Sequence, residues 1–278
     1  MIFPIEEIVH PTDFSALSKK AFVHALRLAL NAHCKLSVIH VDESKTIHEE
    51  TDKEIAYLFL SRILSQWRLG GELNSQYISA AALGFQIEHI ESYGRDLVDM
   101  LADHVRRREP QLIVLGTHER TGLDQLLKGS ISETLFSRTS ASTLFISPHT
   151  RGFVNPVTGE VKLRRVLLPV DHSPTPGQAI RAAREFGRIL IGHEPMLDLI
   201  HIGTTAPEIV DVRSMRPRVI LRPDYDAAKG IIEAAAELAP DMICMATAGR
   251  HGLLDALRGS TTQRVLREAP CPVLATGC

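Results

Sequence analysis

The chain has 278 residues and a mass of 30.7 kDa, which at roughly 150 residues per domain leaves room for two domains. A hydrophobic fraction of 44% beside 23% charged residues excludes a disordered chain and supports a full core. The formal charge of −2 and a pI near 6.7 exclude a global basic field for nucleic acid or an anionic membrane, so any bound anion has to be held locally.

The longest apolar runs, such as Leu112–Leu115 and Val166–Val170, fall far short of the roughly 18 to 20 residues that cross a bilayer. The first residues carry Glu6 and Glu7 and no basic region ahead of a long apolar stretch. A secretory leader is therefore not expected, and a cytoplasmic location is. The four cysteines, Cys34, Cys244, Cys271 and Cys278, form no C-x-x-C pair and are expected as reduced thiols.

In chain order, β-branched runs at about 7–12, 36–41, 85–89, 111–116 and 143–147 alternate with helical patterns at about 15–32, 49–69, 94–107 and 129–138. The first helix places Leu17, Ala21, Ala25 and Ala29 on one stripe, with Ser15 positioned to cap its open N–H groups. Arg106, Arg107 and Arg108 close the third helix, where cations suit the C-terminal dipole. The stretch at about 147–162, with two prolines, two glycines and no helical stripe, is expected to link two domains, 1–150 and 162–278. Beyond it, strands are expected at about 164–170, 196–202, 217–222, 241–246 and 272–276.

The two halves echo each other. Ile8-Val9-His10-Pro11-Thr12-Asp13 matches Val166-Leu167-Leu168-Pro169-Val170-Asp171 at an offset of 158 residues. Later, Gly129-Ser130 matches Gly259-Ser260 at an offset of only 130. The deficit falls after the paired segments Ile39-His40-Val41 and Ile200-His201-Ile202, and it removes the helix corresponding to 49–69. Strands alternating with crossover helices imply a mainly parallel sheet covered on both faces. The expected fold is α/β, with two doubly wound parallel-sheet domains in tandem, the second lacking one helix.

In such sheets ligands lie beyond the carboxyl ends of the strands where strand order reverses. The glycine-bearing loops that end at Gly129-Ser130 and Gly259-Ser260 can bring successive N–H groups and a helix N-terminus onto an anion; equally, the glycines can serve tight turns and the serines can cap helices. Asp13 and Asp171 follow the first strand of each half. There a carboxylate can accept hydrogen bonds from a ribose or an adenine amino group, or can cap the next helix.

Together these residues resemble the universal stress protein family over nearly the whole chain. Its nucleotide motif, G-x2-G-x9-G-(S/T), is matched by Gly116-x2-Glu119-x9-Gly129-Ser130 and by Ala246-x2-Gly249-x9-Gly259-Ser260, followed by Thr261. The resemblance implies an adenine nucleotide-binding fold of the adenine nucleotide alpha hydrolase-like type. Glu119 puts a negative side chain where the family's backbone wraps phosphates, whereas Ala246 adds one methyl, so the second half is the expected site for ATP or AMP, with Mg2+. The implied contacts are Asp171 with adenine or ribose, Pro169, Val170 and Ile202 around the base, and Ala246, Gly249, Gly259, Ser260 and Thr261 around the phosphates, with Arg250 as an added cation or a solvent-facing loop residue. The degenerate counterpart comprises Pro11, Thr12, Asp13, Val41, Gly116, Gly129 and Ser130.

His40 and His201 hold matching strand-end positions and are expected to be structural, and neither His118, His251 nor the cysteines supply a zinc-like spacing. No metal site is expected. The chain has no G-x-S-x-G, H-E-x-x-H or G-x-x-x-x-G-K-(S/T) sequence, which disfavours hydrolases and P-loop motors and leaves slow ATP hydrolysis without a named base. The expected role is a stress-response signalling module, against a scaffold that binds no nucleotide and a weak hydrolase. The resemblance further implies pairing of Thr143–Ile146 with Pro272–Ala275 as an intrachain pseudo-dimer, and a homodimer of two such chains.

Overall fold

The computed structural model describes residues 4–12, 16–42, 60–69, 86–93, 105, 107–116, 141–147, 149–209, 217–223, 226–247 and 260–277. The first half contributes β1 (Glu7–Thr12), α1 (Ala16–Ala32), β2 (Lys35–Asp42), β3 (Gln86–Tyr93), β4 (Leu112–Gly116) and β5 (Ser142–Ile146). The second contributes β6 (Arg165–Pro169), α2 (Gly177–Ile191), β7 (Met196–His201), β8 (Arg218–Leu221), α3 (Ala227–Leu238), β9 (Met242–Thr247), α4 (Ser260–Glu268) and β10 (Val273–Gly277). Residues 60–66 are also helical. Ser15 and the expected helix at 129–138 lie outside the described residues, as does most of 94–107.

All ten strands form one sheet in the order β3-β2-β1-β4-β5-β10-β9-β6-β7-β8. Strand order reverses between β1 and β4 in the first half and between β6 and β9 in the second. Every pairing is parallel except β5 with β10, where Phe145, Leu144 and Thr143 face Val273, Leu274 and Ala275 in antiparallel register. The two edge strands thus cover each other's unpaired backbone groups.

Two apolar layers sandwich the sheet, because both faces of a parallel sheet need cover. One layer joins α1, α2 and the 60–66 helix to Ile8, Leu36, Leu168 and Leu199. The other joins α3 and α4 to Val9, Ile113, Leu167 and Ile243. The alanines of α1 at positions 21, 25 and 29 are fully buried and let the helix approach the strands closely. In α2, Ala179, Ile180, Ala183, Phe186 and Leu190 make the buried stripe. This helix stops at Gly192, whose backbone at φ +76° takes the left-handed conformation and whose N–H donates to Arg188 O at 3.1 Å. Asn31 of α1 donates from Nδ2 to Ile189 O of α2 at 2.9 Å, which joins the halves.

No helix occurs between β7 and β8 among the described residues, 202–209 being irregular. The face that the 60–66 helix covers in the first half is consequently more open at β8, where Val219 is 51% and Leu221 45% exposed. The stretch expected as a linker folds into a clasp over residues 153–162. Val154 and Val161 form an antiparallel bridge, and the Asn155 side chain accepts from the N–H groups of Val157 and Thr158 at 2.8 and 3.1 Å. The turn chemistry of Asn155 and Gly159 closes the clasp locally. Trp67 Nε1 donates to Pro156 O at 3.2 Å, and His24 Nε2 accepts from Phe153 N at 3.0 Å.

Candidate functional site

In the second half, the crevice where strand order reverses is framed by the carboxyl ends of β6 and β9. Pro169 ends β6 opposite Ile200 of β7, and Val170 follows. The Val170 side chain is buried in the layer under α2. Its N–H donates to Ile200 O at 2.8 Å and its carbonyl accepts from His201 Nδ1 at 3.0 Å. Val170 therefore frames the crevice, with its side chain turned into the core and its backbone groups bonded to β7.

Asp171 has a side chain 65% exposed, and its Oδ1 accepts from His172 N at 2.7 Å and lies 4.0 Å from His201 Nδ1. Of the two roles open to Asp171, capping the following helix is not the one the structure shows. The residue capping α2 is Pro176, and no side chain bonds to that helix end. The carboxylate is left facing solvent at the sheet end, able to accept further hydrogen bonds.

His201 is buried at the end of β7. Since the Val170 carbonyl can only accept, Nδ1 carries the proton there. A Cβ on Gly203 would lie 2.5 Å from His201 Nε2, so the chain passes the imidazole at a distance only glycine permits. The His172 ring stands edge-on to it, with centroids 5.6 Å apart, and His172 Nε2 lies 3.2 Å from Thr205 O. This set ties the loop after β6 to the loop after β7. It gives His201 the structural role expected at that position.

Sequence reasoning missed His172, Gly203 and Thr205. A signal for His172 exists in the repeat, where the planar ring of Phe14 occupies the corresponding place after Asp13. Thr205 acts through a backbone carbonyl and leaves no residue-type signature.

Opposite Asp171, Ala246 and Thr247 end β9 and pair with Thr276 and Gly277. Thr247 is buried and donates from Oγ1 to Thr276 O at 2.7 Å, while Ala246 is half-buried. The crossover helix α4 opens with Ser260 and Thr261, and its first N–H groups face the carboxyl end of the sheet because such helices run against their strands. Ile202 is partly buried beside the opposite apolar layer. Gly249, Arg250 and Gly259 lie outside the described residues.

In the first half Pro11 and Thr12 end β1 and Gly116 ends β4. Thr12 Oγ1 accepts from Ser18 Oγ at 2.6 Å, which occupies it internally. His10, fully buried, donates from Nδ1 to Val114 O at 2.9 Å across the β1–β4 reversal. The matching position in the second half is Leu168. Val41 is placed only by its strand register opposite Ser92, and Asp13, Glu119, Gly129 and Ser130 lie outside the described residues.

Among the described residues no three His, Cys, Asp or Glu side chains gather as a metal site, and no helix is long and apolar enough to span a membrane. Cys34, Cys244 and Cys271 are free and buried. Desolvation pushes the thiols of Cys34 and Cys271 up to about 12.

A doubly wound parallel sheet used twice, with an acidic residue and a helix N-terminus described at the reversal point of the second half, defines a tandem α/β protein. The universal stress protein family model matches residues 4–147 and again 219–277, and the chain belongs to that family, with the domain repeated and the second copy smaller. The universal stress protein YxiE of Bacillus subtilis (strain 168) is 27% identical over 139 residues, covering 48% of this chain and 93% of that protein. A universal stress protein structure from Archaeoglobus fulgidus DSM 4304 covers 99% of both chains at 18% identity with a TM-score of 0.60. A functionally unknown protein from Pseudomonas aeruginosa PAO1 covers 99% of this chain and 94% of its own at 14% identity and 0.62.

Proposed function

We propose that the chain is a cytoplasmic stress-response module that binds ATP or AMP, with Mg2+, in its second half and signals through conformation or choice of partner. The observation that carries this reading is the exposed carboxylate of Asp171 at the β6–β9 reversal, on a loop held by His172, His201 and Thr205. A carboxylate in that place can accept from ribose or adenine donors. Phosphates would lie against the amides of Gly249, Gly259, Ser260 and Thr261, where the α4 dipole favours negative charge. In the first half Glu119 opposes the same use, and Thr12 is already bonded to Ser18.

The lever would be a difference in nucleotide affinity between assembly states. In this reading the chain divides into domains 1–150 and 162–278, and two chains associate as a homodimer without nucleic acid or membrane. Light scattering at twice the chain mass is the expected result for the dimer.

Titration calorimetry tests the site. ATP or AMP is expected to bind the wild type, and Gly259→Asp, which sets a carboxylate among the phosphate oxygens, is expected to abolish the heat. Absence of heat with the wild type would favour a second reading, a scaffold, to which the continuous ten-stranded sheet and the defects at Glu119 and Ala246 already lend support.

A further inference from the structure

Away from both reversal points, a cavity of about 510 Å³ opens between α1, the 60–66 helix and residues 151–157 at the start of the clasp. Its volume falls in the range of small-molecule pockets. The apolar part comes from Val23, Ile63 and Val157, one from each wall, with Val157 62% exposed. Lys19, Lys20, Arg62 and Arg151 contribute the charge, and the described lining residues include no carboxylate. This concentration stands out in a chain whose formal charge is −2. Arg62 and Arg151 make no ion pair among the described residues.

The walls are built rather than incidental. Trp67 is bonded to Pro156 O and packs over Gly159, whose φ of +69° and 2.5 Å clearance to the indole admit no side chain. Lys20 Nζ donates to Thr150 O, so one cation is already held at the junction of α1 and the clasp. Burial lowers the Lys20 pKa, and an anion bound beside it would reverse that shift.

We propose that this cavity binds a small organic anion with a short aliphatic body, a carboxylate or phosphate monoester. The alkyl part would cover Val23, Ile63 and Val157, and the acid group would pair with Arg62 and Arg151. The apolar lining among the described residues is aliphatic, which favours an alkyl chain over a stacked base. The arginine forks match carboxylate and phosphate geometry.

The test is calorimetric titration of the full chain with hexyl phosphate, hexanoate, inorganic phosphate and hexanol. Hexyl phosphate or hexanoate is expected to bind saturably at sub-millimolar concentration, inorganic phosphate about tenfold more weakly, and hexanol not at all. Arg62→Glu and Arg151→Glu, both at exposed positions, are expected to lose at least about tenfold in affinity with unchanged melting temperature. Val157→Asp should weaken binding similarly, whereas Arg62→Lys should retain most of it. No saturable heat with either alkyl anion, equal affinity for inorganic phosphate and the alkyl anions, or undiminished affinity in both charge-reversal variants would overturn the proposal. Association with phosphatidylglycerol vesicles in the absence of soluble ligand binding would overturn it too, by assigning the surface to lipid headgroups.

Discussion

His24 sits in α1 yet bonds across the fold, and its environment makes stability depend on pH. The ring is fully buried. Its Nε2 accepts from the N–H groups of Phe153 and Val154 at 3.0 and 3.3 Å, which requires the proton on Nδ1, where it donates to Lys20 O at 2.8 Å. Desolvation, with a smaller push from the Lys20 ammonium, lowers the pKa to about 4. Protonation would also remove the acceptor that holds the clasp.

The sign follows directly. The unfolded chain takes up a proton near pH 6.5 and the folded chain only near pH 4, so the stability carried by neutral His24 is complete above pH 6.5 and declines as pH falls through that window. Over the whole interval the loss is about 3 kcal/mol, of which about 2 kcal/mol falls between pH 7 and pH 5. Urea unfolding of the wild type and His24→Gln at both pH values isolates the contribution, since other titrating groups cancel in the difference. The advantage of wild type over variant should shrink by about 2 kcal/mol at pH 5. An advantage that does not change with pH would refute the reasoning, because the ring would then not be held neutral by its burial.

Gly203→Ala places a methyl 2.5 Å from His201 Nε2 and should lower stability by about 1–3 kcal/mol; thermal unfolding checks this, and the contact between His172 and His201 should loosen in ring proton spectra. The native thiols of Cys34 and Cys271, buried and raised to about 12, should stay unreactive toward Ellman's reagent at pH 8 and react fully in denaturant. Rapid labelling of either in the folded protein would contradict their placement.

The β pattern and the repeat were legible because both are local. Runs such as Leu112–Leu115 carry their own periodicity, and each observed strand falls on an expected run, with β3 extending to Tyr93. Pairing of β5 with β10 was legible only through the family resemblance. The loop set around Asp171 was half legible: Asp171 and His201 stand at matching positions in both halves, while Gly203 and Thr205 have meaning only once the β7 loop passes the imidazole.

From the residues alone came the tandem α/β architecture and the shorter second half, because hydrophobic period and glycine spacing are properties of short segments. Tertiary structure decided what joins distant segments. His24 meets Phe153 from 129 residues away, Asn31 meets Ile189 from 158, and the cationic cavity draws its walls from three parts of the chain. No spacing rule encodes such meetings, since they depend on which face each helix turns toward its neighbours after the sheet has closed.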